Sequence, residues 1–143
     1  MESLIDSLTR GNVTATKVVL ASVILALAAY QLVLIAVGYG RVRPSFLGSR
    51  AAALAHRFSG DAIVVLVIVV AVMCMSYFGT EGEDSSTLHV IAAISLLGAL
   101  ALKVVVVRWW HGASRLLPLL GTTVFALIAL TWASSAYLYL WGD

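Results

Sequence analysis

Residues 62–79 read AIVVLVIVVAVMCMSYFG, and this uncharged run decides the fold class. An α-helix rises about 1.5 Å per residue, so about 20 residues cross the hydrocarbon core of a bilayer. Similar apolar runs stand at residues 18–38, 88–107 and 116–141, and Lys103 is the only formal charge within them. The sequence therefore predicts an all-α integral membrane protein, an antiparallel four-helix bundle with helices at about 17–38, 57–79, 88–108 and 116–141.

The composition supports a membrane protein of one domain. Apolar residues make up 62% of the 143 residues and charged residues 11%, against roughly 45–50% and about 25% in soluble proteins. We expect a polar external segment over residues 1–16 and a transmembrane domain over residues 17–143. The net charge of +2, without a basic run, excludes nucleic acid as a partner. The sequence also contains no hydrolase or phosphate-loop motif.

The basic residues are distributed unevenly across the predicted membrane. The loops after the first and third helices, with the helix ends beside them, hold seven of the nine: Arg41, Arg43, Arg50, Arg57, Lys103, Arg108 and Arg115. That side carries a net charge of +6, while the side with both termini and the turn at residues 79–86 carries −4. The positive-inside rule therefore predicts a multi-pass protein of the plasma membrane with both termini outside the cytoplasm.

Two polar positions inside the predicted bundle are candidates for a cytoplasmic site. His56 and Arg57 open the second helix, and His56 is either a haem ligand or quinone-binding group or simply an interfacial residue. Lys103 lies one or two turns inside the third helix. It either extends to the interface or pairs with Asp61 or with an anionic group of a cofactor, a role open also to Arg57 and Arg108.

A second candidate site lies at the external ends of the helices. His89 opens the third helix, about 30 Å from His56 along the bundle, so one haem iron cannot be held by both. His89 with Met73 or Met75, at the end of the second helix, forms a recognised pair of axial haem ligands. The other pairing is His56 with His111. If the methionines are not ligands, they fill the core of the bundle. If His111 is not a ligand, it is a solvated loop residue.

Several short motifs carry a family resemblance over roughly residues 17–141. In order they are AHRFSG at residues 55–60, Met73-Cys74, Leu88-His89, residues 98–103, and TWASSA at residues 131–136. Their order and spacing resemble a family of small four-helix membrane proteins of actinobacteria whose function is unknown. The family usually has a histidine before Cys74, which implies a b-type cytochrome site. Met73 in that position implies either a histidine–methionine variant with haem b or a site that has lost haem.

The string around His56 carries a second resemblance. His56, Arg57, Ser59 and Gly60 are similar to the helix-opening motif in the membrane anchors of succinate dehydrogenases. In those anchors such residues border the quinone pocket. The resemblance implies a quinone near His56 and Arg57.

Three functional hypotheses follow. The first is an electron carrier of the b-type cytochrome kind that passes electrons between quinone and a partner redox protein, with His89, Met73, His56, Arg57 and Lys103 at its cofactor sites. The second is a cofactor-free accessory or anchor subunit of a larger membrane complex. The third, a transporter or channel, is disfavoured because few charged residues line the spans. We expect a carrier or subunit rather than a stand-alone enzyme.

Overall fold

The computed structural model describes Ser7 and residues 12–42, 48–77 and 86–137. These residues form four long α-helices and no strand: α1 (Val13–Gly38), α2 (Ser49–Tyr77), α3 (Ser86–Arg108) and α4 (Leu117–Trp132). A 3-10 helix (His111–Leu116) precedes α4, and a π-helical turn (Ala133–Tyr137) follows it. Each of the four long helices supplies a stretch that is long and apolar enough to cross a bilayer. The predicted four-helix membrane bundle is confirmed.

Local chemistry sets the ends of α1. Asn12 caps its first turn, because the Asn12 side-chain oxygen accepts a hydrogen bond from the Ala15 backbone N–H at 3.1 Å. The helix ends at Gly38, and Gly40 then adopts the left-handed conformation (φ 69°) that costs glycine little. The helix therefore begins one turn before the predicted start near residue 17 and includes Lys17.

The second helix differs most from its predicted bounds. It begins at Ser49, about two turns before residue 57. Alanines between Arg50 and His56 favour helix, although Arg50 and Arg57 interrupt the apolar pattern on which the prediction relied. His56 and Arg57 consequently lie within α2 rather than at its opening.

The fourth helix is shorter than predicted as an α-helix. Pro118 lies in its opening turn, as expected, and the α-helix ends at Trp132. The π-helical turn continues the rod to Tyr137, and residues 138–141 of the predicted span lie outside the described residues.

Packing is uneven around the bundle. The helix α1 packs extensively on α2, α3 packs on α4, and α1 also contacts α4. By contrast, α2 and α3 make few direct contacts over their described residues. The bundle is thus two antiparallel helix pairs joined mainly through α1 and α4, and the space between α2 and α3 is less closely packed.

A central apolar layer crosses the middle of the bundle. Each helix contributes two buried residues four positions apart, which therefore lie on one helix face. The layer consists of Ile24, Ala28, Ile63, Val67, Leu96, Leu100, Val124 and Ile128. It divides the interior into two ends, which we call the His89 end and the His56 end after their histidines.

Candidate functional site

A cavity of about 100 Å³ lies at the His89 end and is lined by all four helices. Most of its wall is aliphatic. Its polar lining consists of Lys17, Cys74, His89, Thr131, Trp132 and Ser135. The volume is of the order of the roughly 150 Å³ apolar cavity that holds benzene. The cavity therefore suits one small ring, and because it is partly open, the rest of a longer molecule can remain outside.

Hydrogen bonds fix the imidazole of His89 in this cavity. The Ser134 hydroxyl donates to the Thr131 carbonyl oxygen at 3.1 Å, which uses its only proton. His89 Nδ1 lies 3.0 Å from Ser134 Oγ, and in the tautomer with its proton on Nδ1 the His89 ring donates to this oxygen. A neutral imidazole that carries its proton on Nδ1 keeps a lone pair on Nε2. His89 thus supplies a hydrogen-bond acceptor beside an apolar cavity.

The π-helical turn and the residue before it complete the wall. Trp132 Nε1 donates to Ser22 Oγ at 3.0 Å, which ties the end of α4 to α1 and holds the indole at the cavity. The turn that follows carries both Ser134, which contacts His89, and Ser135, which lines the cavity. Such local widening of a helix is frequent at functional sites.

The structure does not bring Met73 to the wall of the His89 cavity. Met73 is buried, with 6% of its surface exposed, but the cavity-lining residue is its neighbour Cys74. Successive residues point about 100° apart around a helix, so the two side chains leave α2 in different directions. Met75, the other methionine candidate, is 64% exposed.

A haem between His89 and Met73 does not fit these side chains. Ligand pockets of drug-sized molecules measure roughly 300–1,000 Å³, well above the cavity of about 100 Å³ beside His89. In the described part of the chain, no group of three His, Cys, Asp or Glu residues could hold a metal ion. Haem ligation by His89 and Met73 stays a prediction from the sequence.

Gln31 is the centre of a polar cluster at the His56 end. Its side chain is buried, and its Nε2 donates to the His56 carbonyl oxygen at 2.8 Å and to Ser59 Oγ at 3.1 Å. Ser59 Oγ in turn donates to the Ala55 carbonyl oxygen at 2.6 Å. These bonds join α1 to α2, and Gly60 leaves room for the amide, because a Cβ there would stand 3.0 Å from Gln31 Nε2.

The predicted residues of the His56 end take different positions. The Nδ1 atom of His56 is buried and has no hydrogen-bond partner, whereas Arg57 is exposed. Lys103 is half-buried and lines a second cavity of about 40 Å³ together with Gln31. The described side chains do not include that of His111, so its pairing with His56 stays a prediction.

Asp61 pairs with Arg108 rather than with Lys103. The Arg108 guanidinium lies 3.4 Å from the Asp61 carboxylate, and the side chains are 57% and 56% exposed. An ion pair this open to its surroundings contributes at most about 1 kcal/mol in water. One of the predicted partners for Lys103 is therefore engaged elsewhere.

The sequence pattern missed several residues of the His89 cavity. Cys74, Thr131, Trp132, Ser134 and Ser135 were not predicted to surround His89. A usable signal was the cluster of polar residues at 131–135, at the end of a fourth apolar run that is otherwise almost free of them.

Comparison with known proteins identifies the family. Among curated proteins and among solved structures, none matches the chain. The sequence model of DUF6529, a family of unknown function, matches residues 3–142. That match spans nearly the whole length, so the chain belongs to the DUF6529 family.

Proposed function

We propose that this protein binds the ring of a lipid-soluble hydroquinone in the His89 cavity and takes part in electron transfer within the membrane. The observation that carries the proposal is the His89 imidazole, hydrogen-bonded through Nδ1 to Ser134 at the wall of a cavity of ring size. With the proton on Nδ1, the Nε2 atom keeps a lone pair as a hydrogen-bond acceptor. A hydroquinone hydroxyl is a donor that suits this acceptor. An apolar wall suits the ring, and the partly open side lets an isoprenoid tail remain in lipid.

In the proposed function His89 is the proton acceptor of hydroquinone oxidation. The hydroxyl of the ring donates to His89 Nε2, which takes one proton as oxidation proceeds. The second proton leaves to water at the membrane face, and both electrons pass to a redox partner protein, because the proposed site requires an external acceptor. Trp132 provides a flat apolar surface against which the ring packs.

Affinity for the two redox forms tests this function. We expect the protein in nanodiscs to bind a short-tailed benzoquinol more tightly than the matching benzoquinone, because the quinone has no hydroxyl to donate. A single hydrogen bond contributes about 0.5–1.5 kcal/mol, which corresponds to about 2- to 10-fold in affinity. His89→Leu should remove this preference in anaerobic calorimetric titrations.

The lipid-facing Met75→Leu variant serves as the control, since Met75 is exposed on the same helix as Cys74. It should keep the preference for quinol. Equal affinity of the wild-type protein for quinol and quinone would contradict the proposal. Sharp visible haem bands in the reduced wild-type protein that disappear in His89→Leu would contradict the quinol site. They would support the haem carrier predicted from the sequence.

Topology is part of the same proposal. From the charge distribution we propose that the His56 end faces the cytoplasm and the His89 end faces outward. A reporter that is active only outside the cytoplasm should work when fused after Asp143 and should be silent when inserted at Ser49. The reverse activities would place the quinol site on the cytoplasmic side and contradict the charge argument.

An accessory subunit is the second candidate, and the outer face of α3 favours it. Ser95 and Gly98 are both exposed on this helix, and a Cβ on Gly98 would meet no atom within 4 Å. Small residues on a lipid-facing surface permit close approach of another transmembrane helix. Copurification with a larger complex, together with no quinol binding by the folded protein, would favour this function.

A further inference from the structure

The two cavities lie on the same axis of the bundle. From the His89 cavity to the second cavity, the numbers of the lining residues increase along α1 and α3 and decrease along α2 and α4. Antiparallel helices give this order when two cavities follow each other along one bundle. The second cavity, about 40 Å³, is lined on its polar side by Lys103 and Gln31, with Gly60 and Gly121 in its wall. The rest of its wall is apolar, but the cavity has room for water beside these two polar groups, because one water needs only about 10–15 Å³ of such volume.

Only the central apolar layer separates the two cavities. Every one of its residues lines a cavity, and Ile128 lines both. Residues four apart on a helix are about 6 Å apart along its axis, so the layer is roughly one helical turn thick. A hydrophobic constriction this short is the kind that gates pores by excluding water.

Lys103 is the ionisable group that lines the second cavity, about one helical turn from Leu100 of the central layer. Among the described residues it has no ion-pair partner, because the one ion pair there joins Arg108 to Asp61. The other polar side chain in the cavity wall is Gln31, whose amide is fixed by two hydrogen bonds. Ionisable groups in membrane spans that face an internal cavity commonly mark ion or proton pathways.

We propose that the two cavities form a proton path along the bundle axis, which the central apolar layer closes. A proton exchanges between water at the His56 end and the Lys103 amine, then moves to water at the open side of the His89 end when the layer admits a water chain. The lining favours protons over metal cations, because it carries lysines and, in the described part, no carboxylate. This activity goes beyond quinol binding and does not depend on it. It returns to the channel hypothesis that the scarcity of charged residues disfavoured, because a proton path through water needs only one internal ionisable group, here Lys103.

Proton flux into proteoliposomes tests the path. The vesicles hold a pH-sensitive dye, and a potassium gradient with valinomycin sets the membrane potential. We expect Ile128→Ser, which places a hydroxyl in the closing layer, to raise proton flux at least 5-fold over the wild type, an estimate based on removal of a dewetted barrier. Val124→Ser, in the same layer, should act in the same direction.

The role of Lys103 requires a second comparison. Adding Lys103→Met to Ile128→Ser should return proton flux to the wild-type level, while Ile94→Ser, on the exposed face of α3, should leave wild-type flux unchanged. Retained helix content and a single elution peak establish that each variant is folded.

Three results would overturn the proposal. The first is flux equal to that of protein-free vesicles in folded Ile128→Ser and Val124→Ser proteins. The second is raised flux that persists after Lys103→Met. The third is a chloride current in place of proton flux, which would make the axis an anion path. None of these measurements includes quinol, so their failure leaves the quinol-binding test unaffected.

Discussion

Leu34→Ala should lower the free energy of unfolding by about 2–3 kcal/mol. Leu34 is 1% exposed and packs with Val37 and Ala52 where α1 meets α2 at the His56 end. Large-to-small substitutions in cores cost about 2–5 kcal/mol through lost transfer energy and a new cavity. In lipid the transfer contribution is small, because the lipid tails are as apolar as the leucine, so we expect the lower half of that range.

Leu54→Ala is the matched control for this prediction. Leu54 lies on α2 close to Ala52, but it is 57% exposed. Its truncation replaces lipid contacts with other lipid contacts and should change the free energy of unfolding by less than about 0.5 kcal/mol. Unfolding in mixed micelles at rising SDS fraction, followed by circular dichroism, measures both variants. If Leu34→Ala and Leu54→Ala lower the free energy of unfolding equally, the α1–α2 contact does not stabilise the bundle.

The bundle itself was predictable because lipid imposes a simple rule. In a bilayer, the backbone N–H and C=O groups must form hydrogen bonds within each segment. Apolar runs of about 20 residues therefore predict helices directly. Helix ends were less predictable. Apolarity locates the part of α2 that crosses lipid, whereas alanine-rich helix extends past it to Ser49. The Asn12 cap likewise begins α1 before its apolar run.

The candidate site depended on helix rotation, which apolar runs do not specify. His89 was correctly identified as a polar residue at a helix end, and the structure places it on a cavity. Its partner was not predictable in the same way. Met73 and Cys74 are adjacent in sequence, and a rotation of about 100° decides which one meets the cavity. In a uniformly apolar run, no polar face indicates that rotation.

Two helices that follow each other in the chain, α2 and α3, do not pack closely together. A short turn between the second and third helices predicted that Met73 and His89 would face each other. In the structure α2 packs mainly on α1, and α3 packs mainly on α4. The hydrogen bonds of Gln31 to His56 and Ser59 help to hold α2 to α1, and they join residues that are 25 and 28 positions apart in the sequence.

Gly60→Ala should reduce stability because of that same Gln31 contact. The new Cβ would stand 3.0 Å from Gln31 Nε2, closer than an ordinary van der Waals contact. The amide cannot move away freely, since it is buried and donates at 2.8 Å and 3.1 Å to α2. Overpacking of this kind costs about 1–3 kcal/mol, against about 0.5–1 kcal/mol that alanine gains over glycine within a helix. We therefore expect a net loss of about 1–2 kcal/mol.

Gly98→Ala should have the opposite sign. Its Cβ would meet no atom within 4 Å, so only the gain in helix propensity remains, about 0.5–1 kcal/mol of added stability. The same SDS titration measures both glycines. In a Gln31→Ala background, Gly60→Ala should no longer reduce stability, because the Gln31 Nε2 atom that the new Cβ crowds is absent. The effects of the two substitutions on stability are therefore coupled. If Gly60→Ala stabilises the wild-type protein as much as Gly98→Ala does, the amide of Gln31 does not lie against Gly60, and the link between α1 and α2 is wrong.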